Sequence, residues 1–119
     1  MALAKLGAVV LDCPDPRALA GFYAEVLGGT VEADGDWVDL TTADGRALAF
    51  QAAPGHVAPK WPAADQSQQF HLDLTVEDLD AAEAAVLALG AKPLDTDDRS
   101  RTFRVYADPA GHPFCLCAC

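Results

Sequence analysis

An internal repeat is the feature that most constrains the fold of this 119-residue chain. The segment AVVLDCPDPRALAGFYAEVLGG, residues 8–29, aligns with HLDLTVEDLDAAEAAVLALGA, residues 71–91, so that Ala8 falls on His71. Each copy reads as a strand, an acidic helix start, an amphipathic helix and a closing glycine. A repeat of this kind predicts two similar structural modules in one chain.

Helix signals occur at matching points of the two copies. Asp15 and Asp78 are N-cap candidates, because an aspartate carboxylate accepts the unpaired N–H groups of a first helical turn. Pro16 stands at the first helical position, where its missing N–H costs nothing. Gly28 and Gly90 are the predicted stops. The apolar stripes expected to be buried are Leu19, Phe22 and Val26 in the first helix, and Leu79, Ala82, Val86 and Leu89 in the second.

Three short strands are predicted after each helix, which makes each module β-α-β-β-β and the fold class α+β. Module 1 covers about 1–51 and module 2 about 70–119, and the Pro-, Ala- and Gln-rich stretch 52–69 reads as a linker. Because a module of this size buries too little surface to be secure alone, we expect one shared core in a single domain, 1–119. The predicted strands after the helices are 30–33, 36–42 and 47–51, then 92–95, 101–107 and 113–119.

The net charge of the chain limits the classes of partner that it is expected to bind. Its formal charge is −10, from 18 acidic and 8 basic residues, and such a surface repels phosphate backbones. We therefore expect no nucleic acid and no membrane as partners, whereas a cationic small molecule is compatible with this charge. The N-terminal stretch does not read as a secretory signal and no apolar run approaches the ~20 residues of a membrane span, so a cytoplasmic location is expected.

Three of the four cysteines stand at alternate positions near the end, Cys115, Cys117 and Cys119. Strand neighbours two residues apart are separated by roughly 6.8 Å, near or beyond the reach of a disulfide. Zinc motifs usually place cysteines in C-x₂₋₄-C turns instead. The pattern is therefore typical of a strand that uses reduced cysteines as small apolar residues.

The segments LDCPDPRALAGFYAEVLGG, FHLDLTVEDLDAAEAAVLALGA and YADPAGHPFCL resemble the vicinal-oxygen-chelate superfamily, which includes glyoxalase I, extradiol dioxygenases and bleomycin-resistance proteins. The FYAEVLG helix end and the DPAG turn are typical of that superfamily, and the resemblance covers nearly the whole chain. The details KWP and DPAGHPFCL are most similar to small actinobacterial glyoxalase-like proteins.

This resemblance implies curled mixed sheets around a small-molecule cavity, with the helices outside, and we expect a homodimer. Strand alternation then separates core positions from cavity positions. It leaves open which face Trp37 and Asp39 take, and which face Arg104 and Tyr106 take. The side chains expected to face the cavity are Ala8, Val10, Ala49, Gln51, His71, Asp73, Cys115 and Cys117, and those expected in the core include Phe70, Leu72, Leu74, Phe114 and Leu116.

The resemblance also implies four metal-ligand positions, one on the first and one on the fourth strand of each module. They fall on Ala8, Ala49, His71 and Cys115. Alanine has no donor atom, and cysteine stands where a carboxylate is usual. We therefore expect no metal cofactor, with a divalent cation held by His71, Cys115 and Cys117 as the alternative.

Two functions follow from these residues. The first is a small-molecule-binding protein with a degenerate metal site that sequesters its ligand, as bleomycin-resistance proteins do. The alternative is a lyase, isomerase or dioxygenase that uses non-standard metal ligands or an acid–base pair of His71 and Asp73. Of the two interpretations of this pair, polar cavity lining is favoured over acid–base catalysis. Trp61, in the linker, either stacks over a ligand or fixes the linker to the body.

Overall fold

The computed structural model describes residues 2–3, 5–61 and 71–118. The chain divides into two compact units, Met1–His56 and Val57–Cys119, and the division lies within the predicted linker. Phe70 and Cys119, about which the sequence made predictions, lie outside the described residues. The single shared core stays a prediction.

The described residues of the first unit form one helix and one mixed sheet. The sheet has the order β1-β4-β3-β2, in which β1 pairs with β4 in parallel and the other pairs are antiparallel. This is the predicted β-α-β-β-β organisation. Its elements are β1 Val9–Cys13, α1 Pro16–Leu27, β2 Thr30–Asp34, β3 Trp37–Thr41 and β4 Ala47–Ala52.

Helix α1 begins and packs as its sequence predicts. The carboxylate of Asp15 accepts a hydrogen bond from the backbone N–H of Ala18 at 3.2 Å. The buried ring of Tyr23 stacks on Phe50 of β4, with 5.8 Å between ring centroids. An apolar helix face therefore covers one side of the first sheet. Of the predicted stripe, Leu19 and Phe22 are buried and Val26 is half-buried.

The second unit repeats this arrangement. Its sheet has the order β5-β8-β7-β6, with β5 and β8 parallel. Within the part of the chain that is described, neither helix has the length and apolar character needed to cross a membrane. The elements are β5 Leu72–Thr75, α2 Leu79–Ala88, β6 Lys92–Asp95, β7 Phe103–Ala107 and β8 Pro113–Cys117.

Helix α2 starts where predicted but packs differently. Asp78 accepts a hydrogen bond from the backbone N–H of Ala81 at 3.1 Å, and Val86 is buried. The prediction that Leu89 is buried was wrong, since this side chain is 39% exposed. Leu89 is the C-cap of the helix, beyond its last regular turn, so it no longer continues the face that meets the sheet.

Polar contacts take the place of much of the apolar stripe between α2 and its sheet. Arg104 of β7 is 4% exposed, and its Nη2 lies 2.9 Å from Oδ1 of Asp80. The hydroxyl of Tyr106 donates to Oε1 of Glu83 at 2.9 Å, and Arg99 Nη1 lies 3.2 Å from Oε2 of the same carboxylate. Burial, followed by the Glu83 hydrogen bond, raises the pKa of Tyr106 to about 12, so the phenol stays a donor at neutral pH. Arg104 and Tyr106 therefore face the helix, which answers a question that alternation left open.

Replacement of this shared carboxylate should be costly. Glu83→Ala is expected to lower the free energy of unfolding by about 2 kcal/mol, because it leaves the buried hydroxyl of Tyr106 without its acceptor. It also removes the carboxylate oxygen that lies 3.6 Å from Nη1 of the buried Arg104. Urea unfolding of the purified variant measures the change. Glu25→Ala, at an exposed site on α1, is the control and should change stability by less than about 0.5 kcal/mol. Equal effects of the two substitutions would contradict the structural role of Glu83.

Candidate functional site

The face of the second sheet that points away from Arg104 and Tyr106 carries the predicted site residues of the second module's strands, Asp73, Cys115 and Cys117. Because strand neighbours alternate, the residues next to Arg104 and Tyr106 on β7 point to this opposite face. Cross-strand pairing places Asp73 opposite Cys115 and Cys115 opposite Val105. We call this surface the site face. Its strand residues are Asp73, Thr75, Phe103, Val105, Cys115 and Cys117.

Three potential donors meet on the site face. Nε2 of His71, the residue just before β5, lies 3.1 Å from Oδ1 of Asp73. The donor atoms of His71, Asp73 and Cys115 all lie within 4.8 Å of one another. The side chains of His71 and Asp73 are 36% and 64% exposed, whereas Cys115 is 5% exposed. A polar pair reached by water thus lies beside a buried thiol.

An apolar floor adjoins this polar pair. Val105, Cys115 and Cys117 form a buried cluster, against which the half-buried Trp61 packs. The Trp61 ring meets His71 edge-on, with 6.2 Å between centroids. This contact brings a residue of the predicted linker to the site face, while the role of Trp61 towards a ligand stays a prediction.

The buried thiol is protonated at neutral pH. Burial, followed by the neighbouring Asp73 carboxylate, raises the pKa of Cys115 to about 12. Nucleophilic cysteines work as thiolates and have lowered pKa values. Cys115 of the metal-free protein is therefore poorly suited to act as a nucleophile at neutral pH.

Sequence reasoning missed an aromatic and a charged group at the edge of the site face. The guanidinium of Arg101 lies 4.5 Å from the centroid of the Phe103 ring, and its Nη2 lies 2.8 Å from Oδ1 of Asp95. Asp95 pairs with Val105, and Val105 pairs with Cys115, so Asp95 belongs to the same cross-strand row as Cys115. Strand alternation could have identified Phe103, because Phe103 and Val105 alternate with Arg104 on β7. Once Arg104 is placed against the helix, Phe103 and Val105 must lie on the opposite face.

In the first unit, the equivalent face lacks donors at the matching positions. Val10 is directly opposite Ala49 on the paired strands β1 and β4, and Ala49 is fully buried. Ala8 lies just before β1. The residues that match His71, Asp73 and Cys115 are thus Ala8, Val10 and Ala49. The four-donor metal set implied by the resemblance does not fit this chain, whereas three donors of mixed chemistry stand together in the second unit.

Trp37 and Asp39 lie on the same face of the first sheet as Ala49. Asp39 pairs with Ala49 and Trp37 with Gln51, while the intervening Val38 is buried. The indole Nε1 of Trp37 donates to Oδ1 of Asp39 at 2.9 Å. This answers the other question that alternation left open. Further exposed acidic residues in the same cross-strand rows are Asp12, Glu32 and Asp34.

Comparison with known proteins identifies the family and the fold. Residues 8–117 match the family model described as glyoxalase-like domain. The chain matches no curated protein. Among solved structures, it is similar to a glyoxalase/bleomycin resistance protein/dioxygenase family enzyme from Burkholderia phytofirmans PsJN, at 20% identity and a TM-score of 0.69, covering 95% of this chain and 97% of that one.

Two further solved structures are similar at comparable distance. A glyoxalase family protein from Enterococcus faecalis has 23% identity and a TM-score of 0.69, over 98% of this chain and 99% of its own. A mutant fosfomycin resistance protein from Listeria monocytogenes, complexed with Mn(II) and 1S,2S-dihydroxypropylphosphonic acid, has 14% identity and a TM-score of 0.74. The similarity covers 99% of this chain and 94% of that one. These likenesses show the predicted α+β fold, and the actinobacterial origin stays a prediction.

The Cys115 thiol should react slowly and in a way that depends on pH. With its pKa raised to about 12, its thiolate fraction keeps rising through pH 10, whereas an ordinary cysteine is nearly fully ionised there. The alkylation rate at Cys115, mapped by mass spectrometry, should therefore increase about tenfold per pH unit from 8 to 10. The same peptide labelled in urea is the control and should level off above about pH 9. A plateau near pH 9 in the folded protein would contradict the raised pKa.

Proposed function

We propose, from the premise that this chain belongs to the glyoxalase-like domain family, that it binds a small organic molecule at the site face of the second unit and sequesters it. The observation that carries this proposal is the pair of His71 and Asp73 beside the apolar floor of Val105, Cys115 and Cys117. Ligand sites typically combine an apolar lining with a few converging polar groups. The site face has both.

The chemistry of these groups favours an organic cation. The exposed carboxylate of Asp73 accepts hydrogen bonds, and a charged donor makes the stronger bond. Trp61 offers an aromatic ring, and such rings attract cations and planar groups. The net charge of −10 raises the local concentration of cations over anions. We therefore propose a ligand with an amine or guanidine group on an aromatic or apolar body.

A thermal-shift screen tests this ligand class. Cationic heteroaromatic compounds should raise Tm with concentration, since a ligand that binds only the folded state stabilises it by mass action, and their neutral isosteres should not. For a compound that binds, Asp73→Asn should weaken Kd by about tenfold or more, the usual loss for a hydrogen bond to a charged group. Asp97→Asn, at an exposed position in the loop before β7, is the matched control and should leave Kd unchanged. An unchanged Kd in Asp73→Asn would contradict this site.

A metal-free enzyme is the second candidate, favoured by the 3.1 Å separation of His71 Nε2 and Asp73 Oδ1. An imidazole oriented by a carboxylate is a common general base. Mass spectrometry of the bound compound after incubation separates the two functions. Sequestration predicts that it is recovered unchanged. Enzymatic turnover predicts a product whose formation is lost in His71→Ala and kept in His56→Ala.

We also propose that the protein is a cytoplasmic homodimer. The superfamily resemblance supports the dimer, and the spacing of the cysteines, which favours reduced thiols, supports a reducing compartment. Light scattering during gel filtration tests the dimer directly. A homodimer should show twice the chain mass of 12.5 kDa, and a mass equal to one chain at micromolar concentration would contradict it.

A further inference from the structure

We infer that the second unit by itself carries a binding site for a thiophilic divalent cation such as Zn²⁺, with His71, Asp73 and Cys115 as its three ligands. This arrangement differs from the one that the superfamily resemblance implies, in which each module contributes donors. It also includes Asp73, which does not occupy any of the four ligand positions expected from the resemblance. The inference does not rest on the proposed function, because cation binding and organic-ligand binding are measured separately.

The sheet brings the three donors close to the geometry of a metal site. Bonds of about 2.0–2.3 Å to a tetrahedral Zn²⁺ place neighbouring donor atoms roughly 3.3–3.7 Å apart. Here all three donor atoms lie within 4.8 Å of one another, and His71 Nε2 and Asp73 Oδ1 are 3.1 Å apart. Side-chain rotations that move atoms by about 1 Å therefore close the site. The backbone needs no rearrangement, since Asp73 and Cys115 are already opposite each other on the paired strands β5 and β8.

The donor types select the cation. Thiolate and imidazole ligands favour Zn²⁺ and Co²⁺, whereas Mg²⁺, Ca²⁺ and Mn²⁺ prefer sites made of oxygen donors. Three protein ligands leave a fourth position for water or a ligand atom, the arrangement found in catalytic zinc sites. Cys115 is buried, but His71 and Asp73 reach solvent, so the cation has a path of entry. Binding transfers the thiol proton of Cys115 to solvent and forms a sulfur–metal bond.

Cys117 is not part of this cluster. It stands two residues after Cys115 on β8 and is opposite Thr75 and Phe103, one row away from Asp73. Strand neighbours at this spacing are about 6.8 Å apart, too far for both sulfurs to bind one ion easily. The donor set of His71, Cys115 and Cys117 considered from the sequence is thus replaced by one that contains Asp73. Cys117 therefore serves as a matched control for Cys115 in the substitution experiments.

Spectroscopic titration with Co²⁺ tests the site directly. The full chain, reduced and free of affinity tag, is titrated with Co²⁺ alone. We expect one equivalent to bind and to produce the near-ultraviolet charge-transfer absorption of a sulfur–cobalt bond. One equivalent of Zn²⁺ should abolish this band, while a hundredfold excess of Mg²⁺ or Mn²⁺ should leave it. Absence of the band, or its loss to Mn²⁺ as readily as to Zn²⁺, would overturn the inference.

Variants assign the ligands. Cys115→Ser should eliminate the charge-transfer band, whereas Cys117→Ser and Cys13→Ser, the latter in the first unit, should keep it. His71→Ala and Asp73→Asn replace partly exposed side chains and should preserve the fold while weakening Co²⁺ binding by more than about tenfold, since loss of even an outer partner of a metal ligand costs that much. Wild-type Co²⁺ affinity in either exposed variant would refute the site, even if Cys115→Ser does not fold.

A final comparison separates this inference from the proposed function. The compound screen is repeated with the chelator-treated protein and with the Zn²⁺-loaded protein. If the protein binds Zn²⁺ but no compound of the screen binds in either form of the protein, sequestration is refuted and the cation site is supported. Binding of an organic cation by a protein that shows no cobalt–thiolate band would refute the cation site and support sequestration.

Discussion

The parallel pairing between the first and the last strand of each unit is the interaction on which the rest of the structure depends. β1 pairs with β4 and β5 with β8. Because parallel neighbours cannot be joined by a tight turn, a crossover connection must link them, and the helix is part of that crossover. The helix packs on one face of its sheet, and alternation sends every second side chain to the other face. The meeting of Asp73 and Cys115 is a direct product of this pairing and its register.

The two units use the same backbone plan with different side chains. The first sheet meets its helix with aliphatic and aromatic groups, while the second sheet also meets α2 through Arg104 and Tyr106, which contact Asp80 and Glu83 of that helix. On the opposite faces, the first unit has Ala8, Val10 and Ala49 where the second has His71, Asp73 and Cys115. A repeat preserves the pattern of strands and caps, because these depend on hydrogen bonds and alternation. The donor chemistry at the matched positions depends on single side chains, and it is present in the second unit alone.

Much of the fold was predictable from local signals, and part of the candidate site was not. Asp15 and Asp78 identified the helix starts, because a carboxylate at an N-cap acts on its own first turn. The prediction failed at Leu89, where a periodic pattern continues past the point at which the helix ends. Asp73 was recognised as a polar residue of the right face, but its reach to Cys115 depends on cross-strand register, which spacing along one strand does not contain.

The sequence alone determined the β-α-β-β-β order of each module, the α+β class, the alternation along the strands and the absence of donors at Ala8 and Ala49, since all of these depend on neighbours close in the chain. Tertiary structure alone decided that Arg104 turns towards α2, that Phe103 and Val105 line the site face, and that Asp73 joins His71 and Cys115. The physical reason is that an alternating strand has two equivalent faces. Only its partners, a helix on one side and paired strands in a set register, assign each face its chemistry.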